Sequence, residues 1–253
     1  MSSKLGKILN AVDRRIGFRV IHGNDPVRTF HSFHYLRHNA RRLEHLASLR
    51  IPVAGMSVLE VGAGIGDHSH YFIDRGCELT ITDVRAENLS YLKTRYPHCN
   101  VRFLDMERPT LADSSTFDIT HCYGLLYHLR DSEKALEFLA SKTKRMLFLE
   151  TCVSFGDTEE LNPVRENQIN PSQAYSGTGC RPTRPWLFNR LQDLFEYVYT
   201  PKTQPNFAEF PLDWTAPEEH QAELSRAIFI ASRERLENDI LVRSLLNKQS
   251  RHE

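Results

Sequence analysis

The sequence predicts an α/β fold: a doubly wound, seven-stranded, mostly parallel sheet with helices on both faces and a helical extension at the N-terminus. Two observations carry this expectation. Short apolar runs alternate with amphipathic stretches from residue 57 to residue 151, and a glycine-rich turn joins the first run to the stretch that follows. Strands and helices in strict alternation form a parallel sheet covered on both sides.

The elements follow in order. From Phe33 the apolar positions Phe33, Leu36, Ala40, Leu43 and Ala47 recur every three or four residues, the spacing of an amphipathic helix. Ser57–Val61 reads as a buried strand, Asp67–Arg75 as a helix stopped by Gly76, and Glu78–Thr82 as a second strand. Glu87–Arg95 reads as a helix, Asn100–Leu104 as a third strand and Phe117–Cys122 as a fourth. Asp131 is a candidate N-cap for a helix over Asp131–Ser141, because its side chain can accept from the free N–H groups of the first turn. Arg145–Thr151 is a fifth strand, Pro185–Leu194 a helix, and Tyr197–Thr200 and Arg226–Ser232 two final strands. Residues 153–182 contain Asn162-Pro163, Asn170-Pro171 and Gly177-Thr178-Gly179 with few aliphatic side chains, and read as a lid loop. The expected organisation is a helical extension over 1–50, an α/β domain over 51–233 and a closing helix over 234–253.

Composition narrows the partners. The 253 residues are 40% hydrophobic, enough for one sizeable core, and 32 basic residues balance 32 acidic ones. No overall positive charge favours nucleic acid or a membrane surface, although residues 1–50 hold ten Lys/Arg against Asp13, Asp25 and Glu44. No run approaches the ~18 apolar residues that span a bilayer, and Met1–Val20 lacks the core of a secretory signal. The five cysteines form no CxxC pair, which fits a reduced, cytoplasmic protein. Oligomeric state is not legible.

The chemistry starts at Glu60-Val61-Gly62-Ala63-Gly64-Ile65-Gly66. Glycines after a strand allow a tight turn and close approach of backbone to a ligand, and the next helix offers free N–H groups. Dinucleotide-binding turns use the same device as G-x-G-x-x-G. Here the last glycine of that pattern is replaced by Asp67, whose carboxylate would repel a pyrophosphate, and Glu60 precedes the turn. The segment resembles the first motif of the class I S-adenosylmethionine-dependent methyltransferases, a Rossmann-like family, and the resemblance extends over roughly 57–151.

The resemblance implies S-adenosyl-L-methionine as cofactor, with Glu60, Gly62, Ala63, Gly64 and Gly66 forming its cradle. It also implies Asp83 on the ribose hydroxyls, Asp105 on the adenine amino group, Met106 against the ring and backbone near Tyr123 at the methionine end. Methyl transfer from a sulfonium needs alignment first, and a base only for a poor nucleophile. His128, just beyond the fourth strand, is the leading base candidate because its ordinary pKa suits the task. Glu150 and Tyr127 are candidates for orienting the acceptor or assisting. His121 sits inside a strand pattern, and His68 adjoins the cofactor turn. His34 and His38 share a helix face but lack a third ligand at a matching offset, so no metal is expected. Arg181 and Arg184 are candidates to clamp an anionic group.

The expected partner is a small-molecule acceptor, a sugar or secondary metabolite carrying a hydroxyl or amine, with nucleic acid not expected. Leu126–His128, Leu149–Thr151, Asn170-Pro171-Ser172 and Pro182–Leu187 loosely resemble enzymes that modify the tRNA wobble uridine, which stands as the alternative. An inactive methyltransferase-like binding protein is the alternative of another class.

Overall fold

The computed structural model describes residues 25–111 and 115–252. Strands β1 (Ser57–Val61), β2 (Glu78–Asp83), β3 (Asn100–Phe103), β4 (Phe117–Tyr123) and β5 (Thr143–Cys152) pair in parallel in the order β3-β2-β1-β4-β5. A hairpin of β6 (Leu161–Arg165) and β7 (Thr178–Pro182) stands apart from this sheet. The chain then returns as β8 (Tyr197–Pro201), makes the short β9 (Thr203–Gln204), and enters β10 (Arg226–Ser232). β10 lies between β5 and β8, antiparallel to both. β11 (Leu241–Val242) adds an eighth strand at the edge beyond β8, and β12 (Ser250–Arg251) pairs with β9. The sheet is therefore one strand wider than the seven expected.

Helices α1 (Pro26–Phe30), α2 (Phe33–Ser48), α3 (Ser69–Ile73), α4 (Ala86–Arg95), α5 (Ser132–Lys142) and α6 (Arg184–Leu194) flank the sheet. Because side chains alternate along a strand, β5 sends Leu147 and Leu149 to one core and Met146 and Phe148 to the other. The first core packs Leu136 and Leu139 of α5 and Leu187 and Leu191 of α6 against the sheet. The second packs Leu46, Phe72 and Leu92 from α2, α3 and α4. Each such buried Leu or Phe contributes about 1.5–3 kcal/mol. Asp131 caps α5 as expected, accepting from Lys134 N at 3.0 Å. The strand order reverses between β1 and β4, and open α/β sheets bind ligands outside the carboxyl ends of the strands at such a point.

Four expectations need correction. The closing helix over 234–253 does not form across the described part of that segment, which makes turns and the short strands β11 and β12. Asn238 decides this locally: its side chain accepts from Ile240 N and donates to Leu49 O, fixing a turn where a helix would need continuation. Residues 153–182 are not a plain loop, since β6 and β7 pair from Leu161↔Pro182 to Arg165↔Thr178. The helix expected over Asp67–Arg75 is shortened to α3, the residues before it being turns. Finally, α2 forms where its periodicity puts it but buries another face. Phe33 and Leu36 are 80% and 49% exposed, while His38, Asn39, Arg42 and His45 are buried. Of the N-terminal extension, residues 1–24 lie outside the described residues.

Candidate active site

The turn after β1 builds the floor of one cavity. Gly62 and Gly64 both take positive φ, 67° and 59°, a region costly for other residues. A side chain at Gly62 would also meet the Leu125 methyl carbon at 2.8 Å. The turn thereby turns its backbone inward: Gly64 N donates to Asp83 Oδ2 at 2.8 Å. Asp83 also accepts from Arg85 N and Asn88 Nδ2, at 2.8 and 3.0 Å. Burial nevertheless raises its carboxyl above the ordinary value against those bonds.

Glu60, Gly62, Ala63, Gly64, Asp83, Asp105, Met106, Tyr123, Tyr127 and His128 all line this cavity, which holds about 1160 Å³ including its open mouth. Two expected residues do not line it. Gly66 packs behind the turn, where a Cβ would strike Tyr96 and Leu92 at 2.6 and 2.7 Å. Glu150 is wholly buried behind the wall and reaches the cavity only through its arginine partners.

The end of the cavity nearest β4 holds buried polar atoms with no protein partner. They are Tyr123 Oη, His68 Nε2, His121 Nδ1 and both ring nitrogens of His38, and beside Asp83 the Oδ1 of Asn88. A buried polar atom left unpaired costs about 1–3 kcal/mol, so these atoms fit a polar ligand. Burial holds His121 down at about 3 and His68 and His38 well below the ordinary value, so all three are neutral rings. Glu60 accepts from Ser69 Oγ, and burial pushes its carboxyl up to about 7. A ligand ammonium there would favour its ionised form.

A charged network walls the other side. Glu150 accepts from Arg42 Nη1 at 2.7 Å and from Arg226 Nη1 at 3.0 Å. Burial opposes ionisation of Glu150, but the Arg226 and Arg42 guanidiniums overcome it and hold its carboxyl below the usual range. Arg226 also donates to Glu209 and, at 3.3 Å, to Tyr127 Oη. Arg42 donates to Asn39 Oδ1, and Asn39 donates to Asp67 at 3.1 Å. His128 donates or accepts through Nδ1 at Glu166, the residue that follows β6. Burial keeps His128 below its ordinary value despite that carboxylate.

Sequence reasoning missed Arg42, Arg85, Arg226 and Glu166. No spacing could pair Arg42 with a glutamate 108 positions away. Arg181 and Arg184, the candidate anion clamps, do not line this cavity: Arg181 Nη1 donates to Tyr127 O and Glu166, and Arg184 lies over Trp214 and donates to Leu246 O. Among the described residues no group of three or more His, Cys, Asp or Glu is arranged to hold a metal, and no helix is long and apolar enough to cross a membrane.

Comparison with known proteins agrees with this geometry. A family model described as a methyltransferase domain matches residues 58–146. No curated protein matches the chain. The solved N-terminal domain of EvdMO1 with SAH bound is similar at 20% identity and a TM-score of 0.60, over 78% of this chain and 81% of that one. An S-adenosylmethionine-dependent methyltransferase from Mesorhizobium loti is similar at 15% identity and a TM-score of 0.56, over 78% of this chain and 100% of that one. Magnesium protoporphyrin IX methyltransferase (ChlM) from Synechocystis PCC 6803 with bound SAM is similar at 15% identity and a TM-score of 0.51, over 90% and 96%. Residues 58–146 thus match a methyltransferase domain, and the solved neighbours share the fold of this chain.

Proposed function

We propose that this protein transfers a methyl group from S-adenosyl-L-methionine to a hydroxyl or amine of a small polar molecule. One observation carries the reading: the glycine turn, the acids at the ends of β2 and β3, and His128 all line a single cavity. S-adenosylmethionine, when bound, supplies an electrophilic methyl carbon on a sulfonium. The residues of the chain bind and align it. Asp83 and the unpaired Oδ1 of Asn88 accept from the ribose hydroxyls. Asp105 receives the adenine amino group, with Met106 against the ring. Glu60 and backbone near Tyr123 meet the amino-acid end.

His128 is the base for a hydroxyl acceptor. The bound donor would supply the methyl group to the acceptor oxygen and keep the carbon–sulfur electron pair as the neutral thioether, while a ring nitrogen of His128 would take the acceptor proton. Tyr127 buttresses the site through its bond from Arg226 rather than by ionising, because burial raises its hydroxyl far above neutrality. Glu150 acts through Arg42 and Arg226. The charges argue for a neutral polar acceptor. Arg42 and Arg226 face Glu150 and Glu209, and Arg85 is bonded to backbone carbonyls. Among the described residues the cavity therefore offers no surplus of positive charge to a polyanion, and no feature favours a tRNA acceptor.

Calorimetry with S-adenosylmethionine, followed by a screen of sugars, phenols and amines with methyl-labelled donor, tests the proposal. Saturable sub-millimolar binding and label transfer to one acceptor class are expected. Absence of donor binding would sink the enzyme reading and leave a binding protein. His128→Ala should slow transfer by about 10²–10⁴-fold at unchanged donor affinity; wild-type turnover would remove it as base.

A further inference from the structure

We propose that Glu166, carried in by the β6–β7 hairpin, is the positioning residue that keeps His128 with its proton on Nδ1 and its Nε2 free to face the acceptor. The inference rests on His128 being the base.

The geometry is specific. Nδ1 of His128 is hydrogen-bonded to Glu166 Oε2, and Nε2 has no hydrogen-bond partner among the described residues, on a ring that lines the cavity. Glu166 is itself held from three sides. Ala174 N donates to Oε2 at 2.7 Å, Arg181 Nη1 donates to Oε1 at 3.3 Å, and only 4% of the side chain is exposed. Burial favours the neutral carboxyl, but the bonds from His128 and Ala174 and the charge of Arg181 hold it below the usual range. The carboxylate is thus ionised, can only accept, and fixes the proton of a neutral His128 on Nδ1.

A second observation joins hairpin and base. A Cβ at Gly179 of β7 would lie 2.2 Å from Tyr127 O and 3.2 Å from His128 Cα. The hairpin reaches the Leu126–His128 turn only because this position has no side chain. Arg181 Nη1 locks the contact by donating to Tyr127 O at 3.1 Å.

The arrangement also fits the charge that transfer creates. When the acceptor proton reaches Nε2, the ring becomes a buried cation. Arg181 and Arg226 oppose that cation, the Tyr127 ring lies 3.9 Å away centroid to centroid, and Glu166 is the group facing the ring that favours it. A carboxylate that orients an imidazole and stabilises its protonated form is a general device for a histidine base. The proton then leaves from Nε2 to water when product departs.

Long-range ¹H–¹⁵N spectra of the histidine-labelled chain test this without knowledge of the acceptor. The wild-type protein should show His128 protonated at Nδ1. In Glu166→Gln its titration midpoint should move to lower pH, because the carboxylate that favours the cation is gone. Glu166→Asp should restore part of the shift, and serves if the glutamine variant fails to fold. With the acceptor found by the labelled-donor screen, Glu166→Gln should lower kcat about ten- to hundredfold at unchanged KM, less than His128→Ala. The double variant should be no slower than His128→Ala alone. A proton on Nε2 in the wild type, or an unmoved midpoint in Glu166→Gln, overturns the pairing. A moved midpoint with wild-type turnover in both single variants shows instead that His128 is not the base, and the positioning role falls with it.

Discussion

At the scale of single residues, Asp83 is a carboxylate that braces the glycine turn and, on the proposed function, also meets the donor. It accepts from Gly64 N, Arg85 N and Asn88 Nδ2, yet it lines the cavity. Asp83→Ala should weaken S-adenosylmethionine binding by about 1.5–3 kcal/mol, the worth of hydrogen bonds to a charged group. Calorimetry checks this, and unchanged affinity would refute a ribose role. Glu60 makes a pH-dependent prediction. Burial raises its carboxyl from an ordinary 4.5 to about 7. Between those values the folded chain keeps a proton that the unfolded chain has lost. Its contribution to stability is therefore full below about pH 4.5 and declines until about pH 7. The size is on the order of a few kcal/mol, from the free energy of a unit shift. Urea unfolding at pH 5 and pH 8 should show a smaller loss in Glu60→Gln than in wild type; equal losses would place the titration elsewhere.

At the scale of elements, the hairpin is the piece that sequence described least well. The strands of the parallel sheet were legible as short apolar-rich runs, mostly buried in β1, β2, β4 and β5 and partly exposed in β3. Asp83 and Asp105 were legible because they end such runs. β6 and β7 were not, because Asn162-Pro163 and Gly177-Thr178-Gly179 carry the composition of a loop, and a two-stranded ribbon outside the sheet needs no apolar face. The buried face of α2 was hidden for a different reason. Its buried Arg42 and His45 bond Glu150 and Thr203, partners far away in sequence, while the apolar spacing that revealed the helix pointed to the wrong side. Asn238 likewise overrides the helical spacing of the C-terminal segment through one local turn. The hairpin tip is fastened by Arg85, whose Nη2 donates to the carbonyls of Gln168, Asn170 and Gln173 at 3.4, 3.2 and 3.0 Å. Arg85→Ala should speed amide exchange across residues 167–176 while the sheet keeps its protection. Exchange that stays at the wild-type rate would mean the tip is held by its own turns.

At the scale of the whole molecule, the Arg42–Glu150–Arg226–Glu209 network ties α2, strands β5 and β10 and the segment before β10 into one unit. Such pairs are weak evidence for stability while intact, because desolvation offsets attraction, but removing one partner strands a buried charge. Arg42→Ala should therefore cost about 3–5 kcal/mol in urea unfolding. Arg41→Ala, one residue away, breaks an exposed pair with Glu44 and should cost no more than about 1 kcal/mol. Comparable losses in the two variants would mean that Glu150 finds another partner.

The fastening at Arg85 has a kinetic consequence. Arg85 follows Asp83 by two positions, and the strip it holds carries Glu166 at one end and the cavity-lining Pro171, Ser172, Gln173, Tyr175 and Ser176 at the other. On the proposed function, the roof over the donor and the support of the base are the same piece of chain. If donor entry and release require this strip to lift, the carboxylate leaves His128 at the same moment, and the open form lacks its positioned base. Turnover should follow a compulsory order, donor on first and spent donor off last. In steady-state inhibition, S-adenosylhomocysteine should then compete with the donor and not with the acceptor; competition with the acceptor would mean that the two ends of the strip open separately.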